Sequence, residues 1–479
     1  MPMRLSLLFP SWANEFGTYK AAAKSITAFP PLNLCIVAAI AERAGYEVQI
    51  IDGHVEQLDN AAIIKRAKAF RPDIVGLTSC TPFFHNMLSM ASEVKQTLKV
   101  PVMAGGTHVS LCREQAFADS IDYLFVGEVE TILGEFFRQF DEGNRSPNVC
   151  GVMMRNNNGE TIYHGDAPPL ENLDEAPFPA RHLLPNDKYF MGTPHGRKLF
   201  STLQMSRGCA FSCVFCANTL HGKRLRFRSL GNVMKELEWI VRETDTSHIY
   251  FVDDTFTVKR DFILSLCDEI ERRDLRFTFE CSTRANVWDE ELAKRLQKCG
   301  LLRISFGLET VDPEVRKIIK KGVPLECYIE ANKINNRLGI ETLNSVMMGL
   351  PGDTRESIER TVDFLCHTRA VQHVTYNIAI PYPGTEMLKM AEAGEHGLKL
   401  VERDFSKYQR YGSGVMEVNG ISPQELIQLQ KRALLRTYSC WWRVLPVIKR
   451  FGLKTCLVTF LSILFSRKPR STKKDPSCS

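Results

Sequence analysis

The stretch Ser206-Arg-Gly-Cys-Ala-Phe-Ser-Cys-Val-Phe-Cys-Ala217 holds three cysteines, Cys209, Cys213 and Cys216, in the spacing C-x3-C-x2-C. It follows an apolar run that is typical of a strand. A loop this short can direct three thiolates at one inorganic group, and thiolate sulfur is a natural ligand of iron–sulfur clusters and of zinc. Three cysteines satisfy three irons of a [4Fe-4S] cluster and leave the fourth iron open for chemistry.

Two other interpretations of these cysteines stay open. In the first, His221 completes a Cys3His zinc site. In the second, the cysteines are ordinary buried thiols. The second fits less well, because Arg207, Gly208, Ser212 and Asn218 make the segment polar and loop-like.

The cysteine motif, with the aromatic Phe215 before its third cysteine, resembles the signature of the radical S-adenosylmethionine (SAM) superfamily. The resemblance implies that the amino and carboxylate groups of SAM chelate the open iron. It also implies that reduction of the cluster, by a donor such as flavodoxin or ferredoxin, cleaves SAM to methionine and a 5′-deoxyadenosyl radical.

Length and composition are those of a multidomain globular protein. The 479 residues are enough for two or three domains, and 44% hydrophobic with 24% charged residues is ordinary. Fifteen irregularly spaced cysteines argue against a disulfide framework and for a reducing compartment. With no signal peptide and no run long enough to span a bilayer, we expect a cytoplasmic protein.

Residues 1–145 alternate apolar strands with helical patterns, which predicts a doubly wound parallel sheet with a Rossmann-like arrangement. The predicted strands are Arg4–Phe9, Glu47–Ile51, Ile74–Thr78, Val100–Ala104 and Tyr123–Val126. The predicted helices are Leu32–Ala44, Ala61–Phe70, Asn86–Leu98 and Glu130–Phe140.

Small and polar residues follow these strands, at the sheet edge where such folds bind ligands. They are Thr78, Ser79, Gly105, Gly106 and Gly127. Glycine there lets a flat ligand approach the backbone. Any nucleotide-binding or purely structural sheet can show the same pattern.

The order of elements resembles the cobalamin (B12)-binding domain that often precedes a radical SAM domain. The matching segments are Pro30–Leu34, Ala44–Val48, Asp52, the Thr78–Thr81 cluster, Ala104–Gly106 and Val126–Glu128. Some B12 domains ligate cobalt through a histidine after the first strand, but Pro10–Gly17 contains none, and His54 follows the second strand. The resemblance therefore implies cobalamin without a histidine ligand from the protein.

Residues 146–198 are predicted to form a hairpin, Val152–Arg155 with Thr161–Tyr163, and then a Pro-rich linker. From 199 to 395, six strand–helix units predict a partial (β/α)6 barrel, since a closed barrel needs eight. The six strands are Leu199–Gln204, His248–Val252, Arg276–Glu280, Arg303–Phe306, Thr342–Met348 and Val374–Ile380. The predicted helices between them include Val233–Arg242, Phe262–Arg273 and Glu290–Cys299.

Polar motifs end several barrel strands, on the face where such barrels carry their sites. The resemblance implies SAM contacts for Asp253, Asp254, Arg284, Glu309, Gly349 and Pro351. The pair of aspartates departs from the family's usual Gly-Gly-Glu-like segment. Taken alone, Glu309 would equally well cap a helix, and Arg284 would equally well form a surface ion pair.

Residues 396–479 are predicted to form a helical region with a basic tail. Ser422–Tyr438 has an amphipathic pattern, and nine Lys or Arg fall between Arg443 and Lys474 with no acid. Two interpretations remain: helices that pack on the barrel, or an interfacial helix, extended by the apolar run Cys456–Phe465, that meets anionic lipid. No motif indicates nucleic-acid binding.

The sequence thus predicts a cobalamin-dependent radical SAM enzyme that methylates an unactivated carbon of a small molecule or lipid. The alternatives are a radical SAM cyclase of tetrapyrrole or lipid metabolism, and a non-catalytic iron–sulfur or B12 sensor. No catalytic side chain is predicted, and the substrate is not encoded in any motif.

Overall fold

The structure is a computed structural model, and it describes residues 2–11, 29–156, 158–217, 220–409 and 413–451. Two seven-stranded sheets organise these residues. Each sheet is mostly parallel and carries helices on its faces, so the predicted α/β class is confirmed.

The first sheet has the strand order β2-β1-β3-β4-β5-β6-β7. Its strands are β1 Arg4–Phe9, β2 Glu47–Asp52, β3 Ile74–Thr78, β4 Val102–Gly105, β5 Tyr123–Phe125, β6 Val152–Arg155 and β7 Thr161–Tyr163. The first five are parallel. Because the order reverses at β1, β3 lies beside it, and the carboxyl ends of these two strands form the crevice where doubly wound sheets bind ligands.

Helices cover both faces of this sheet. They are α1 Leu32–Arg43, α2 Asn60–Phe70, α3 Phe84–Thr97, α4 Thr107–Cys112 and α5 Leu133–Asp141. One face packs with α1 and α5, and the other packs with α2, α3 and α4. The fully buried strand β3 explains the continuous apolar run in its sequence.

The hairpin predicted before the Pro-rich linker has the expected strand bounds. Strand β6 pairs antiparallel with β5, so the hairpin also extends the first sheet. Helix α5 begins at Leu133, three residues after the predicted Glu130. The Glu130 side chain is committed elsewhere, to an ion pair with Arg207.

The second sheet is curled and has the order β16-β15-β14-β13-β12-β9-β8. Its strands are β8 Phe190–Thr193, β9 Gly196–Leu203, β12 His248–Phe251, β13 Thr278–Thr283, β14 Leu301–Glu309, β15 Glu341–Met348 and β16 His373–Ile378. Six of them are parallel, as predicted. Strand β8 was not predicted; it pairs antiparallel with β9 at the edge.

Helices alternate with the parallel strands of the second sheet. They are α6 Leu230–Glu243, α7 Arg260–Arg272, α8 Glu290–Lys298, α9 Pro313–Ile318, α10 Leu325–Leu338, α11 Arg355–His367 and α12 Glu386–Ala393. Five of them begin at a side chain that accepts a backbone N–H of the first turn, which fixes where each helix starts. These caps are Ser229, Asp289, Asp312, Thr354 and Thr385.

A shared apolar core joins the two sheets. Phe200 of β9 lies in the same buried cluster as residues of α1 and α5, and Tyr250 of β12 packs against it. Arg181, from the predicted linker, is buried against the barrel, where it pairs with Glu236 and donates to the Thr202 carbonyl. The carboxyl ends of both sheets are therefore held in a fixed relation.

The C-terminal region completes one side of the barrel. It contains β17 Leu398–Leu400, β18 Met416–Val418, α13 Pro423–Tyr438 and α14 Trp441–Phe451. The two remaining strands, β10 Ser206–Arg207 and β11 Arg226–Phe227, lie earlier in the chain and form a short ribbon. The Thr437 hydroxyl lies 2.6 Å from that of Tyr376, which fixes α13 on β16. Among the described helices, none is both long and apolar enough to cross a bilayer. The run Cys456–Phe465 lies outside the described residues.

Candidate active site

The segment that carries the three cysteines is closed at its base by a two-stranded ribbon. Strands β10 and β11 pair antiparallel, which brings the two ends of residues 208–225 together. Gly208 has φ 89°, and a Cβ on it would collide with the Arg224 carbonyl oxygen. Only glycine allows this close approach of the two chains.

Within the loop, one apolar residue is held by backbone hydrogen bonds, while each cysteine keeps part of its surface accessible. Cys209 and Cys213 are half-buried and Cys216 is exposed. Buried Val214 donates its N–H to the Ile319 carbonyl at 3.3 Å, and its own carbonyl accepts the Met387 N–H at 2.9 Å. Phe215 packs against the barrel core. The predicted aromatic residue therefore has a packing role.

No three His, Cys, Asp or Glu side chains in the described residues form a group that is already arranged to hold a metal ion. The three sulfurs nevertheless belong to one short loop at the carboxyl end of β9. None of the three forms a disulfide, and each can supply a thiolate sulfur.

Arg284, predicted at the end of the third barrel strand, reaches the cysteine loop. Its Nη1 lies 3.6 Å from the Cys213 sulfur, and its guanidinium lies 3.7 Å from the centre of the Phe211 ring. Its Nε is buried and has no hydrogen-bond partner. A buried donor without a partner is costly, so this guanidinium has unused capacity for an anionic group at the loop.

Glu309, at the end of β14, is buried and adopts φ 65°. Its Oε1 lies 3.3 Å from the Nζ of Lys321, which is also buried. Burial raises the pKa of the Glu309 carboxyl, against the attraction of Lys321. Sequence reasoning missed Lys321. Lys321 is a second buried cation, besides Arg284, near the Glu309 carboxylate.

The two adjacent aspartates after β12, Asp253 and Asp254, differ in burial. Asp253 is buried, and its Oδ1 accepts the Ser206 N–H at 2.7 Å and the Met205 N–H at 3.1 Å. Burial raises the pKa of Asp253 to about 6. Its carboxylate therefore holds the base of the cysteine loop, while Asp254 is exposed and remains the better candidate for a ligand contact.

The Gly349–Asp353 turn after β15 is held by its own aspartate. The Asp353 Oδ2 accepts the N–H groups of Gly349 and Leu350, at 3.0 and 2.9 Å. Gly349 has φ 84°, and a Cβ there would lie 2.9 Å from Leu426 of α13. Pro351 is buried. The turn thus packs against the C-terminal region, and its predicted contact with SAM stays a prediction.

At the first sheet, the predicted small residues lie together. Gly106 has φ 107°, and a Cβ on it would lie 2.6 Å from the Ser79 carbonyl oxygen and 2.7 Å from the Thr78 Oγ1. The Gly105 carbonyl accepts the Ser79 N–H at 3.2 Å. Gly127 donates its N–H to Ser110 at 3.0 Å. These contacts pack the segments that follow β3, β4 and β5 closely against one another.

Two buried histidines flank this edge. His54 follows β2, and burial lowers its pKa to about 4. His108, which sequence reasoning did not single out, lies between the rings of Phe84 and Phe405 and has its Nδ1 3.1 Å from the Thr81 hydroxyl. Part of the predicted histidine-free loop, residues 12–17, lies outside the described residues.

A cavity of about 600 Å³ lies beside the end of β5 and the segment that follows the cysteines. It is lined by Ser110 of α4, by Gly127 after β5, by His221 and Arg226 after the cysteines, and by Gly384 after β16. The cavity therefore lies between the end of β5 and the segment that follows the cysteines, and its lining in the described residues includes Gly127 but not the three cysteines, Arg284 or Glu309.

Comparison with known families identifies the two halves. The model of the Radical SAM superfamily matches residues 203–365, and the model of the B12 binding domain matches residues 20–137. A protein of Pyrococcus horikoshii named as the uncharacterized methyltransferase PH0819 is 32% identical, over 86% of this chain and 88% of its own. The chain belongs to the radical SAM superfamily, in the branch with a B12-binding domain.

A further relative and a solved structure are similar to this radical SAM enzyme along most of its length. The anaerobic magnesium-protoporphyrin IX monomethyl ester cyclase of Rubrivivax gelatinosus is 24% identical over 89% of this chain and 75% of its own. The radical SAM methyltransferase TsrM of Kitasatospora setae, solved with cobalamin and a [4Fe-4S] cluster, superimposes with a TM-score of 0.70 at 19% identity. That match covers 92% of this chain and 89% of TsrM. It shows that the two proteins share a fold.

The cofactors of this radical SAM enzyme are a [4Fe-4S] cluster, SAM and cobalamin. The residues present fit these groups. The cysteines offer thiolate sulfur in one loop, the Arg284 Nε is a buried donor without a partner, and Gly106 allows the turn after β4 to lie against Thr78 and Ser79 at the sheet edge.

Proposed function

We propose that this enzyme methylates an unactivated carbon of a small molecule, so that a methyl group from SAM replaces a C–H hydrogen. The single observation that carries the proposal is the junction at which Glu128, after β5 of the B12-binding half, pairs with Arg207 and Arg226 of the ribbon that closes the cysteine loop. When bound, the cluster with SAM supplies a radical that abstracts hydrogen, and cobalamin supplies a carrier for the methyl group.

The chain's own residues divide the remaining work. Cys209, Cys213 and Cys216 are the proposed cluster ligands, and Val214 fixes their loop on the barrel. Arg284, Glu309 and the exposed Asp254 are the proposed SAM contacts. The proposed cobalamin contacts are Thr78, Ser79, Gly105, Gly106 and Gly127, and Gly127 among them lines the cavity.

Labelled SAM tests this proposal. The anaerobically reconstituted enzyme, given a reductant, trideuteromethyl SAM and an extract of cells that lack the gene, should yield a product heavier by one trideuterated methyl group. A magnesium-protoporphyrin-type cyclase, favoured by the similarity over 89% of the chain, would instead yield 5′-deoxyadenosine and an unlabelled product that has lost hydrogen. If neither the trideuterated product nor the unlabelled product is formed, both the methylase and the cyclase function are contradicted.

The proposed cobalt site makes a spectroscopic prediction. Because His54 lies after β2 and the His108 Nδ1 faces the Thr81 hydroxyl, we expect bound Co(II) cobalamin without a histidine nitrogen on cobalt. Electron paramagnetic resonance should show no superhyperfine splitting that is assignable to protein nitrogen. A splitting that disappears in His54→Ala or in His108→Gln would overturn this expectation.

Helix α14 supports a proposal of contact with a membrane surface. Its buried Arg443 donates to the Leu365 and Gln372 carbonyls, which fixes one face on the barrel. Trp441 and Leu445, one helical turn apart, are 71% and 66% exposed. An apolar face beside basic residues is typical of interfacial helices, and it favours a lipid-like substrate.

Vesicle sedimentation tests this contact. The intact protein should co-sediment with vesicles that contain phosphatidylserine and should be released as salt rises, since each basic residue near such a surface contributes about 1 kcal/mol. Trp441→Ser with Leu445→Ser should weaken binding. Trp239→Ser, at a tryptophan that is 38% exposed elsewhere, is the matched control. Intact protein that ignores vesicles at low salt would limit α14 to a packing role.

A further inference from the structure

Glu128 lies three residues after β5, at the edge of the first sheet that borders the cavity. Its side chain is buried, with 8% of the residue exposed. One carboxylate oxygen accepts from the His221 Nδ1 at 2.9 Å and from Arg226, and the other accepts the Leu170 N–H at 3.0 Å and the Arg226 Nη1 at 2.9 Å. Arg207 lies 3.2 Å from it as well.

The partners of Glu128 bracket the cysteines. Arg207 on β10 stands two residues before Cys209, His221 stands five residues after Cys216, and Arg226 lies on β11. One carboxylate of the B12-binding half therefore holds both strands of the ribbon at the base of the cysteine loop. Few connections between the two halves could control the position of this loop as directly.

The charges at this junction are balanced only when Glu128 is ionised. Burial opposes its ionisation, yet His221, Arg226 and Arg207 together hold the pKa of Glu128 well below its usual range. Arg207 pairs in addition with Glu130. Removing one partner of a buried ion pair leaves the others desolvated and uncompensated, which is strongly destabilising locally.

We propose that Glu128 is a positioning residue that fixes the cluster-binding loop against the cobalamin-binding sheet, so that one buried carboxylate sets the separation of the two cofactors. The proposal rests on the proposed function only in requiring that both cofactors bind. Hydrogen abstraction and methyl delivery must reach the same substrate carbon, and misplacement of reacting groups by about 1 Å can cost roughly a hundredfold in rate.

The test compares four proteins loaded with both cofactors: wild type, Glu128→Gln, Glu128→Asp and Glu130→Gln. Pulsed paramagnetic resonance measures the dipolar coupling between the reduced cluster and Co(II). Glu128→Gln keeps the size of the side chain but loses its charge and turns a donor toward Arg226. It should retain iron and cobalamin yet show a broader and shifted coupling.

The conservative variants decide what the carboxylate does. Glu128→Asp, which keeps the charge, should restore much of the wild-type coupling, and Glu130→Gln, which affects Arg207 alone, should change it least. A wild-type coupling in Glu128→Gln would overturn the proposal. If Glu128→Gln does not fold, Arg226→Gln, which removes one partner, must still broaden the coupling, and an unchanged coupling there would overturn it equally.

Failure of this inference and failure of the proposed function give different results. Wild-type protein that binds both cofactors but transfers no labelled methyl group contradicts the proposed function and leaves the coupling measurement intact. Wild-type protein that methylates, together with a Glu128→Gln variant of unchanged coupling and unchanged yield of product per 5′-deoxyadenosine, contradicts the positioning role alone.

Discussion

Replacing Cys209, Cys213 and Cys216 together by alanine is expected to abolish the cluster and all cleavage of SAM. The loop offers three thiolates, and no backbone group can replace them as iron ligands. Anaerobically reconstituted wild-type protein should hold about four irons per chain with the brown absorption of a [4Fe-4S] cluster. The triple variant should be colourless.

A second triple variant separates this effect from a general loss of thiols. Cys80 and Cys150 are exposed and Cys327 is half-buried, all outside the loop, and their replacement by alanine should leave iron and colour unchanged. Stoichiometric zinc in the wild-type protein, with no iron uptake under reconstitution, would contradict the radical chemistry. It would favour the Cys3His alternative with His221.

Glu309→Ala is expected to lower both the stability of the protein and its affinity for SAM. Removing this carboxylate leaves Lys321 buried without its partner at 3.3 Å, and breaking a buried ion pair in this way typically costs about 3–5 kcal/mol. Loss of a charge-assisted bond to the ligand would add about 1.5–3 kcal/mol to the binding free energy, which is roughly ten- to a hundredfold in affinity. The midpoint of thermal unfolding and SAM binding measured by calorimetry report the two effects.

The double variant Glu309→Ala with Lys321→Met distinguishes the scaffold role from the ligand role. It removes both charges, so most of the lost stability should return, but SAM affinity should stay low. Lys320→Met is the matched control, because Lys320 is exposed and pairs with Glu386 on the surface. A double variant with wild-type SAM affinity would mean that the Glu309–Lys321 pair has only a structural role.

Arg284→Ala should also weaken SAM binding while the cluster is retained.

Much of the fold is predictable because both sheets are largely parallel and buried. Strands such as Ile74–Thr78 are buried throughout and largely apolar, and the helices between them repeat their apolar residues with the period that one buried face requires. The edges are where prediction failed. Phe190–Thr193 is short and antiparallel, and only its pairing with Gly196–Leu203 makes it a strand.

The site was predictable as a set of positions but not as a set of contacts. The cysteines, Arg284 and Glu309 follow from spacing and strand ends. Lys321 belongs to the basic stretch Lys317-Ile-Ile-Lys-Lys321, which in sequence indicates an exposed surface. Its burial arises only when the chain after α9 folds back over the end of β14, where Glu309 lies.

Asp253 and Glu128 show a further limit of the sequence. Both occupy positions that suggest cofactor contacts, yet the Asp253 carboxylate is used by the Met205 and Ser206 backbone, and that of Glu128 by Arg226 and His221. Partners that are distant in sequence cannot be read from spacing. Buried carboxylates next to a site therefore need the tertiary structure before they are assigned to a ligand.

The most direct test of the account is the formation of 5′-deoxyadenosine by protein loaded with cluster and cobalamin, given SAM and a low-potential reductant under anaerobic conditions. The account predicts that the wild-type chain releases 5′-deoxyadenosine and that the variant without Cys209, Cys213 and Cys216 releases none. A fully loaded wild-type protein that binds SAM but forms no 5′-deoxyadenosine, even when the cell extract is present, would contradict it.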